Sequence, residues 1–242
     1  MPTPDAAAPY FRQLLAGRDF ARVNPMAGEM RNFVYLVGDR ASRECAVIDP
    51  AWDVPGILDL AQQDGMKITA ALVTHFHPDH VGGDLFGHPV QGIAQLLARA
   101  PMRVYAHKEE VGGLCFVTGI EEADVRPVES GDTLSVGTIP IRFLHTPGHT
   151  PGSQCFLVGD RSLVAGDTLF VGACGRVDLP GSDPEQMYES LTQKLAKLPD
   201  DVVLYPGHDY GDRESAPLGE QKRTNVFLQP RSLQDWLSLM RR

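Results

Sequence analysis

The segment 74–80 constrains this chain more than any other, because it gathers four metal-binding side chains within seven positions. These side chains are His75, His77, Asp79 and His80. The apolar run 68–73 precedes them and predicts a buried strand. The first two histidines are two residues apart, so an extended conformation points their imidazoles to the same side. Pro78 then ends any strand ladder and turns the remaining two side chains toward a second point.

Three further metal-binding side chains stand elsewhere in the chain, each after a predicted apolar strand and next to a glycine. The strands and side chains are 139–144 with His149, 162–166 with Asp167, and 202–207 with His208. Side chains at strand ends meet at the rim of a sheet, where binding sites commonly lie. Imidazole and carboxylate groups bind borderline-soft divalent metals at about 2.0–2.2 Å. The pattern therefore favours a metal centre over a solvated histidine-rich turn.

Together these seven residues resemble the ligand set of the metallo-β-lactamase superfamily, and no position of the set is missing. The similarity runs from about Asn32 to about Asp209. It implies a four-layer αβ/βα sandwich, in which two mixed β-sheets pack face to face and helices cover the outer faces. It also implies which metal each side chain serves. The first metal would be held by His75, His77 and His149, and the second by Asp79, His80 and His208, with Asp167 bridging the two.

Composition is that of a globular enzyme and excludes several classes of partner. The chain has 242 residues, of which 43% are hydrophobic and 22% charged. A net charge of −9, without a basic stripe, argues against a nucleic acid partner. No apolar run approaches the roughly 20 residues that cross a bilayer, and the first residues lack the pattern of an export signal. We therefore expect a cytoplasmic protein without a membrane partner, whose four scattered cysteines are small core residues.

The organisation predicted from the pattern is a single domain over residues 23–242, preceded by an arm over residues 1–22. A short helical piece is expected within that arm, at residues 10–15. The remaining predictions are a hairpin joining 33–37 to 44–49 and helices over 54–63, from Asp183 onward and over 233–240.

An insertion at about residues 86–101 separates the metal-binding segment from the next predicted strand, which begins at Arg103. It contains a helix-like run at 93–99. Because it follows the metal-binding segment closely, one interpretation is a lid or pocket wall. The other is an external helix or a contact in a homo-oligomer.

The residues after Asp167 narrow the resemblance. The motif Gly-Asp-Thr-Leu-Phe at 166–170, followed by Cys-Gly-Arg at 174–176, resembles glyoxalase II enzymes and the related persulfide dioxygenases. The former hydrolyse S-acylglutathione thioesters with a dinuclear site. The latter oxidise glutathione persulfide with a single iron, held by the equivalents of His75, His149 and Asp167. Such a set of two histidines and one carboxylate suits non-haem Fe(II).

Flanking residues do not separate the two chemistries. The dipeptide at 177–178 and the run 208–210 are more similar to the dioxygenase branch, whereas 150–153 and 179–181 are more typical of hydrolase-like members. The intact dinuclear set favours hydrolysis of a glutathione thioester by hydroxide, with zinc expected and iron or manganese as alternatives. Asp79 and Asp167 would then be catalytic carboxylates. A persulfide dioxygenase with one Fe(II) is the alternative, and a lactonase-type acyl hydrolase is a further one.

Four side chains are candidates for contact with the small-molecule substrate, which is expected to be a glutathione conjugate. They are Arg176, Tyr210, Lys222 and Arg223. Arg176 matches the basic position that contacts glutathione in the family, where a guanidinium can bind a carboxylate. Two alternatives stay open from the sequence. Arg176 can pair with Asp178 to shape its own loop, and the basic pair at 222–223 can lie on a solvated helix face.

Overall fold

The computed structural model describes residues 9–240, which form two six-stranded sheets, two short hairpins and the helices that cover them. The strands are β1 (Tyr10–Leu15), β2 (Phe33–Asp39), β3 (Glu44–Ile48), β4 (Lys67–Leu72), β5 (Gly83–Leu85), β6 (His88–Val90), β7 (Arg103–His107), β8 (Val125–Val128), β9 (Thr133–Val136), β10 (Ile139–His145), β11 (Gln154–Val158), β12 (Ser162–Val164), β13 (Leu169–Phe170), β14 (Ala173–Cys174), β15 (Val203–Tyr205) and β16 (Ala216–Pro217). Within residues 9–240, no helix combines the length and apolar character needed to cross a bilayer.

The α-helices are α1 (Pro25–Met30), α2 (Val54–Gln63), α3 (Pro78–Val81), α4 (Ile93–Arg99), α5 (Val111–Thr118), α6 (Pro184–Glu189), α7 (Leu218–Thr224) and α8 (Leu233–Met240). Short 3₁₀ segments lie at Lys108–Glu110, Glu122–Asp124, Leu195–Lys197 and Val226–Leu228, and a π turn at Ser190–Lys194. Helix α6 begins as its sequence predicts. The Asp183 carboxylate accepts from the backbone N–H groups of Glu185 and Gln186 at 2.8 and 3.1 Å.

The two large sheets are both mixed. The first has the order β1-β2-β3-β4-β7-β8, antiparallel from β1 to β3 and parallel from β3 to β8. The second has the order β16-β15-β12-β11-β10-β9, with β12 and β15 parallel and the other pairs antiparallel. Strands β10, β12 and β15 therefore run in one direction and end at the same edge of their sheet.

Three apolar clusters show how the layers are stacked. The middle cluster lies between the sheets and contains Phe33 from β2 and Phe143 from β10. The outer face of the first sheet packs against α2, α4 and α5, and that of the second against α6, α7 and α8. Each sheet thus buries both faces, and the helices need only one apolar side. This arrangement confirms the predicted αβ/βα sandwich.

The amino-terminal segment differs from its prediction. Residues 10–15 are not a helix on a loose arm but the edge strand β1, which pairs antiparallel with β2 from Tyr10 opposite Gly38 onward. Tyr10 and Leu14 pack outward against α2, whereas Phe11 and Leu15 pack between the sheets. Apolar residues at positions i, i+1, i+4 and i+5 imitate one face of a helix, although here they alternate between the two faces of a strand. Residues 1–8 lie outside the described part of the chain.

The insertion at 86–101 forms the end of a short hairpin of β5 and β6, followed by α4. Ile93 and Leu96 of α4 are fully buried in the cluster that covers the first sheet. This packing agrees with the interpretation as an external helix, and the lid, the pocket wall and the contact in a homo-oligomer stay predictions. Phe86, at the tip of the hairpin, is 87% exposed.

We expect Leu14→Ala to reduce the free energy of unfolding by about 2–5 kcal/mol, because the strand contributes a fully packed side chain to the core. Urea denaturation followed by circular dichroism measures this change. Val23→Ala is the control, since Val23 is 96% exposed and should change the stability by less than about 0.5 kcal/mol. Equal effects of the two substitutions would contradict the placement of β1.

Candidate metal centre

The predicted ligands lie together at one rim of the sandwich, although the chain brings them from four separate segments. His75 and His77 follow β4, and Asp79 and His80 lie in the one-turn helix α3, whose first residue is Pro78. The other three follow strands of the second sheet, His149 after β10, Asp167 after β12 and His208 after β15. The carboxyl ends of these strands meet at the same edge.

The first group of ligands consists of His75, His77 and His149, whose coordinating atoms all lie within 4.8 Å of one another. His149 Nε2 is 3.0 Å from His77 Nδ1, and the ring centroids of His75 and His77 are 4.7 Å apart. Three imidazoles at these distances surround a point that one cation can occupy. His75 Nε2 is buried and has no hydrogen-bond partner among the described residues, as expected of a nitrogen that is available for a metal.

The second group consists of Asp79, His80 and His208. The Nε2 atoms of the two histidines are 3.1 Å apart, and each is 3.4 Å from Asp79 Oδ2. All three side chains are buried, with exposed fractions of 1–6%. Buried imidazole and carboxylate groups in such close contact need a cation or a proton between them.

Asp167 lies between the two groups. Its carboxylate oxygens are 3.7 Å from His149 Nε2 on one side and 3.3–3.4 Å from the Nε2 atoms of His208 and His80 on the other. Its Oδ1 is buried without a hydrogen-bond partner in the described structure. One carboxylate that faces both groups has the position that a bridging ligand requires.

The outer nitrogen of four histidines is fixed by a neighbouring acceptor. His80 Nδ1 donates to Asp49 at 3.0 Å, His208 Nδ1 to the Met30 carbonyl at 2.7 Å, and His149 Nδ1 to the Arg176 carbonyl at 2.8 Å. His75 Nδ1 is 2.9 Å from the hydroxyl of Thr74, which itself donates to Asp49. When these rings are neutral, their Nε2 lone pairs therefore face the centre, as in protein metal sites. The residues present fit two divalent cations.

The pKa values of the histidines are shifted in opposite directions in the two groups. Burial and the adjacent histidines hold the pKa of His75 well below its ordinary value, and burial and His149 lower the pKa of His77 to about 4. In the second group burial opposes protonation, but the carboxylates of Asp79 and Asp167 prevail and raise the pKa of His80 and of His208. The shifted pKa values thus favour the neutral form of His75 and His77 and the protonated form of His80 and His208.

Glu110 is a functional residue that the sequence patterns do not reveal. Its carboxylate is fully buried and accepts from the backbone N–H of Phe76 at 2.7 Å, from the hydroxyl of Thr150 at 2.8 Å and from the N–H of Gly152 at 2.7 Å. Burial raises its pKa to about 7, although these hydrogen bonds favour the ionised form. Glu110 thus connects the loop of His75 and His77 to the loop of His149.

The four predicted substrate contacts are placed very differently. Tyr210 lies at the centre, because its ring stacks on His208 with centroids 4.5 Å apart and is about half exposed. Arg176 borders the centre through its carbonyl, but its guanidinium pairs with Asp178 at 2.9 Å, as the alternative interpretation predicts.

The basic pair at 222–223 does not join the centre. Lys222 binds the Leu198 carbonyl and Asp200, on the loop before β15, at the opposite end of that strand from His208. Arg223 lies beside it on α7, and its carbonyl accepts from Gln229. The Lys222 ammonium is therefore already bound by groups at that end of the strand, and a substrate contact of Lys222 or Arg223 stays a prediction.

The residues 27–208 match the family model of the metallo-β-lactamase superfamily, which is three quarters of the chain. The chain belongs to this superfamily. Its relatives include a hydroxyacylglutathione hydrolase of Rhodopseudomonas palustris, which is 43% identical over 230 residues covering 81% of this chain and 82% of that protein. The mitochondrial persulfide dioxygenase ETHE1 of Homo sapiens is 31% identical over 199 residues, covering 81% of this chain and 71% of that protein.

Solved structures of the superfamily share the fold. ETHE1 from Myxococcus xanthus superposes with a TM-score of 0.77 at 31% identity, covering 96% of this chain and 90% of that one. A protein crystallised in a di-iron-bound form has a TM-score of 0.67 at 32% identity, covering 82% of this chain and 96% of that one. The predictions of the superfamily and of its glyoxalase II and persulfide dioxygenase branches are thus confirmed.

We expect zinc binding to the second group to weaken more steeply at low pH than binding to the first. The raised pKa values of His80 and His208 mean that a cation displaces protons there, and acid favours the proton. Calorimetric titration of metal-free protein in buffers of different ionisation enthalpy gives the protons released for each zinc equivalent. Release of equal numbers of protons by the two zinc equivalents would contradict the opposite shifts of the histidine pKa values in the two groups.

We expect Glu110→Gln to reduce the free energy of unfolding of the metal-free protein by about 1–3 kcal/mol, because an amide NH₂ must then face one of the three donors. Chemical denaturation measures this difference. Glu109→Gln is the matched control on the same turn, since Glu109 is exposed and its replacement should change stability by less than about 0.5 kcal/mol. A loss equal to that of the control would mean that Glu110 does not join the loops.

Proposed function

We propose that this protein is a metal-dependent hydrolase that cleaves a thioester of glutathione and holds two divalent cations at the rim of the sandwich. The observation that carries the proposal is the position of Asp167, whose carboxylate faces both complete groups of ligands at 3.3–3.7 Å. A dinuclear site requires a second group of ligands on the far side of this carboxylate, and Asp79, His80 and His208 occupy that position. We propose the seven predicted residues as the ligands.

Two bound cations would supply hydroxide at neutral pH and would polarise a carbonyl. Hydrogen bonds from neighbouring residues fix the positions of the ligands. Thr74 and His80 both bind Asp49, and Glu110 ties the two loops of the first group together. Asp49, Thr74 and Glu110 are buried, whereas Tyr210, which stacks on His208, is about half exposed. Fixed ligands of this kind reduce the reorganisation that the reaction requires.

The identity of the substrate is supported by the relatives and by the mouth of the site. One relative is a hydroxyacylglutathione hydrolase, and the chain resembles it over four fifths of its length. Tyr210 offers an exposed aromatic face beside the ligand His208. Arg176 is 67% exposed and its partner Asp178 is equally exposed, so a substrate carboxylate can replace this weak ion pair. We propose Arg176 and Tyr210 as the substrate contacts, zinc as the metal and the cytoplasm as the location.

One specific observation favours a second candidate. Asp167 lies 3.7 Å from His149, whose group also contains His75, and two histidines with one carboxylate suit a single Fe(II). A persulfide dioxygenase is among the relatives, and ETHE1 of Myxococcus xanthus has a closely similar fold. Oxidation of glutathione persulfide by one iron is therefore the alternative to hydrolysis.

We expect the purified protein to hydrolyse S-lactoylglutathione with two metal equivalents bound, and to consume no oxygen with glutathione persulfide. Asp167→Ala should abolish the hydrolysis and lower the metal content, because it removes the carboxylate that faces both groups. Asp160→Ala is the control, since Asp160 is an exposed residue on the turn before β12 and should leave both unchanged. Absorbance at the thioester band, an oxygen electrode and elemental analysis provide the three measurements. One iron per chain with persulfide-dependent oxygen uptake would instead establish the dioxygenase.

A further inference from the structure

We propose that Asn32, oriented by Trp52, is the positioning residue of the second ligand group and determines whether that group takes up a metal. This inference rests on the proposed function, because it concerns the site that distinguishes a dinuclear centre from a mononuclear one. Asn32 is 1% exposed and lies beside His208, with which it forms an isolated antiparallel bridge. It is not one of the predicted ligands.

The orientation of the Asn32 amide follows from hydrogen-bond chemistry. The indole Nε1–H of Trp52 is 2.9 Å from Asn32 Oδ1, and an indole nitrogen can only donate. The amide oxygen must therefore face Trp52, and the NH₂ group must face the ligands. Asn32 Nδ2 is 2.9 Å from Asp79 Oδ2, which accepts one of its hydrogens.

The same NH₂ group reaches the two histidines. Asn32 Nδ2 is 3.3 Å from His80 Nε2 and 3.4 Å from His208 Nε2. These are the two nitrogens whose lone pairs face each other at 3.1 Å when the rings are neutral. A donor amide at this position keeps Asp79 directed toward the two imidazoles. One side chain thus contacts all three members of the second group.

The loop that carries Trp52 is held in an unusual conformation. Asp49 and Trp52 both have positive φ angles, 53° and 81°, which are uncommon for residues other than glycine. Asp49 contacts His80, and Trp52 contacts Asn32. The backbone N–H of Trp52 is fixed in turn by the Gln91 carbonyl at 2.8 Å. Backbone strain of this kind persists where the surrounding structure holds a functional side chain in place.

The first ligand group has a different support. The loops of His75, His77 and His149 are joined by Glu110, and the side-chain hydrogen bonds of Asn32 go to the second group and to Trp52. Loss of the Asn32 contacts should therefore affect one group selectively. Outer residues that orient metal ligands typically change metal affinity by about 10–100-fold.

The experiment compares Trp52→Phe and Asn32→Ala with Trp236→Phe in the full chain. Trp236 is the matched control, because it is also buried and its indole N–H donates to a backbone carbonyl, that of Pro184 at 2.7 Å, and not to a side chain that contacts the ligands. Metal-free protein is titrated with Zn²⁺ in competition with a chelator. We expect both test variants to weaken the second zinc equivalent by about 10–100-fold and the first by less than about twofold. The Trp236→Phe control should bind both zinc equivalents with the affinities of the wild type.

A second measurement does not depend on zinc. In metal-free protein, imidazole ¹⁵N spectra should show Trp52→Phe changing the signals of His80 and His208 but not those of His77 and His149. Equal weakening of both equivalents, unchanged affinities, or signals that shift in both groups alike would overturn the inference. If the wild type binds only one zinc equivalent, the dinuclear hydrolase proposal fails, and the spectra alone then decide the role of Asn32.

Discussion

The structure depends on the convergence of five imidazoles and two carboxylates at a single buried rim. Nitrogen lone pairs 3.0–3.1 Å apart repel one another unless a positive charge lies between them. The surrounding protein does not relieve this repulsion. Instead, acceptors such as Asp49 and the Met30 carbonyl fix the outer nitrogens, so the lone pairs stay directed inward. The rest of the sandwich keeps these groups in contact.

Several glycines make this approach of chain segments possible. A Cβ atom on Gly207 would lie 2.3 Å from Asp167 Oδ1, and one on Gly175 would lie 1.8 Å from the Asp167 carbonyl. Gly166 has a φ of +48° and faces Thr74, which joins the two sheets at the rim. Any side chain at these positions would separate the carboxylate from the histidines. Gly166, Gly175 and Gly207 are thus a condition for the close approach of the segments around Asp167.

Hydrolysis and persulfide oxidation differ in how many cations the rim holds, and the two ligand groups differ in how readily they accept one. Burial lowers the pKa of His75 and of His77, whereas nearby carboxylates raise the pKa of His80 and of His208 against the effect of burial. Residues outside the ligand set therefore bear directly on the choice of chemistry. Asn32 and Asp49 contact the second group, and Glu110 supports the first. Retention of all seven ligands does not by itself distinguish the two activities.

The sequence by itself determined the strands that end in histidine or aspartate, the seven candidate ligands and the family, because a strand and its next residues are local features. It misplaced β1, whose apolar spacing fits a helix until the pairing with β2 is known. Only the tertiary structure decided the roles of Glu110 and Asn32 and the distance of Lys222 from the centre. Glu110 binds partners 34 and 42 residues away, and Asn32 binds one 47 residues away. Contacts at such separations arise from the pairing of distant strands and from the packing of the two sheets, which no local pattern records.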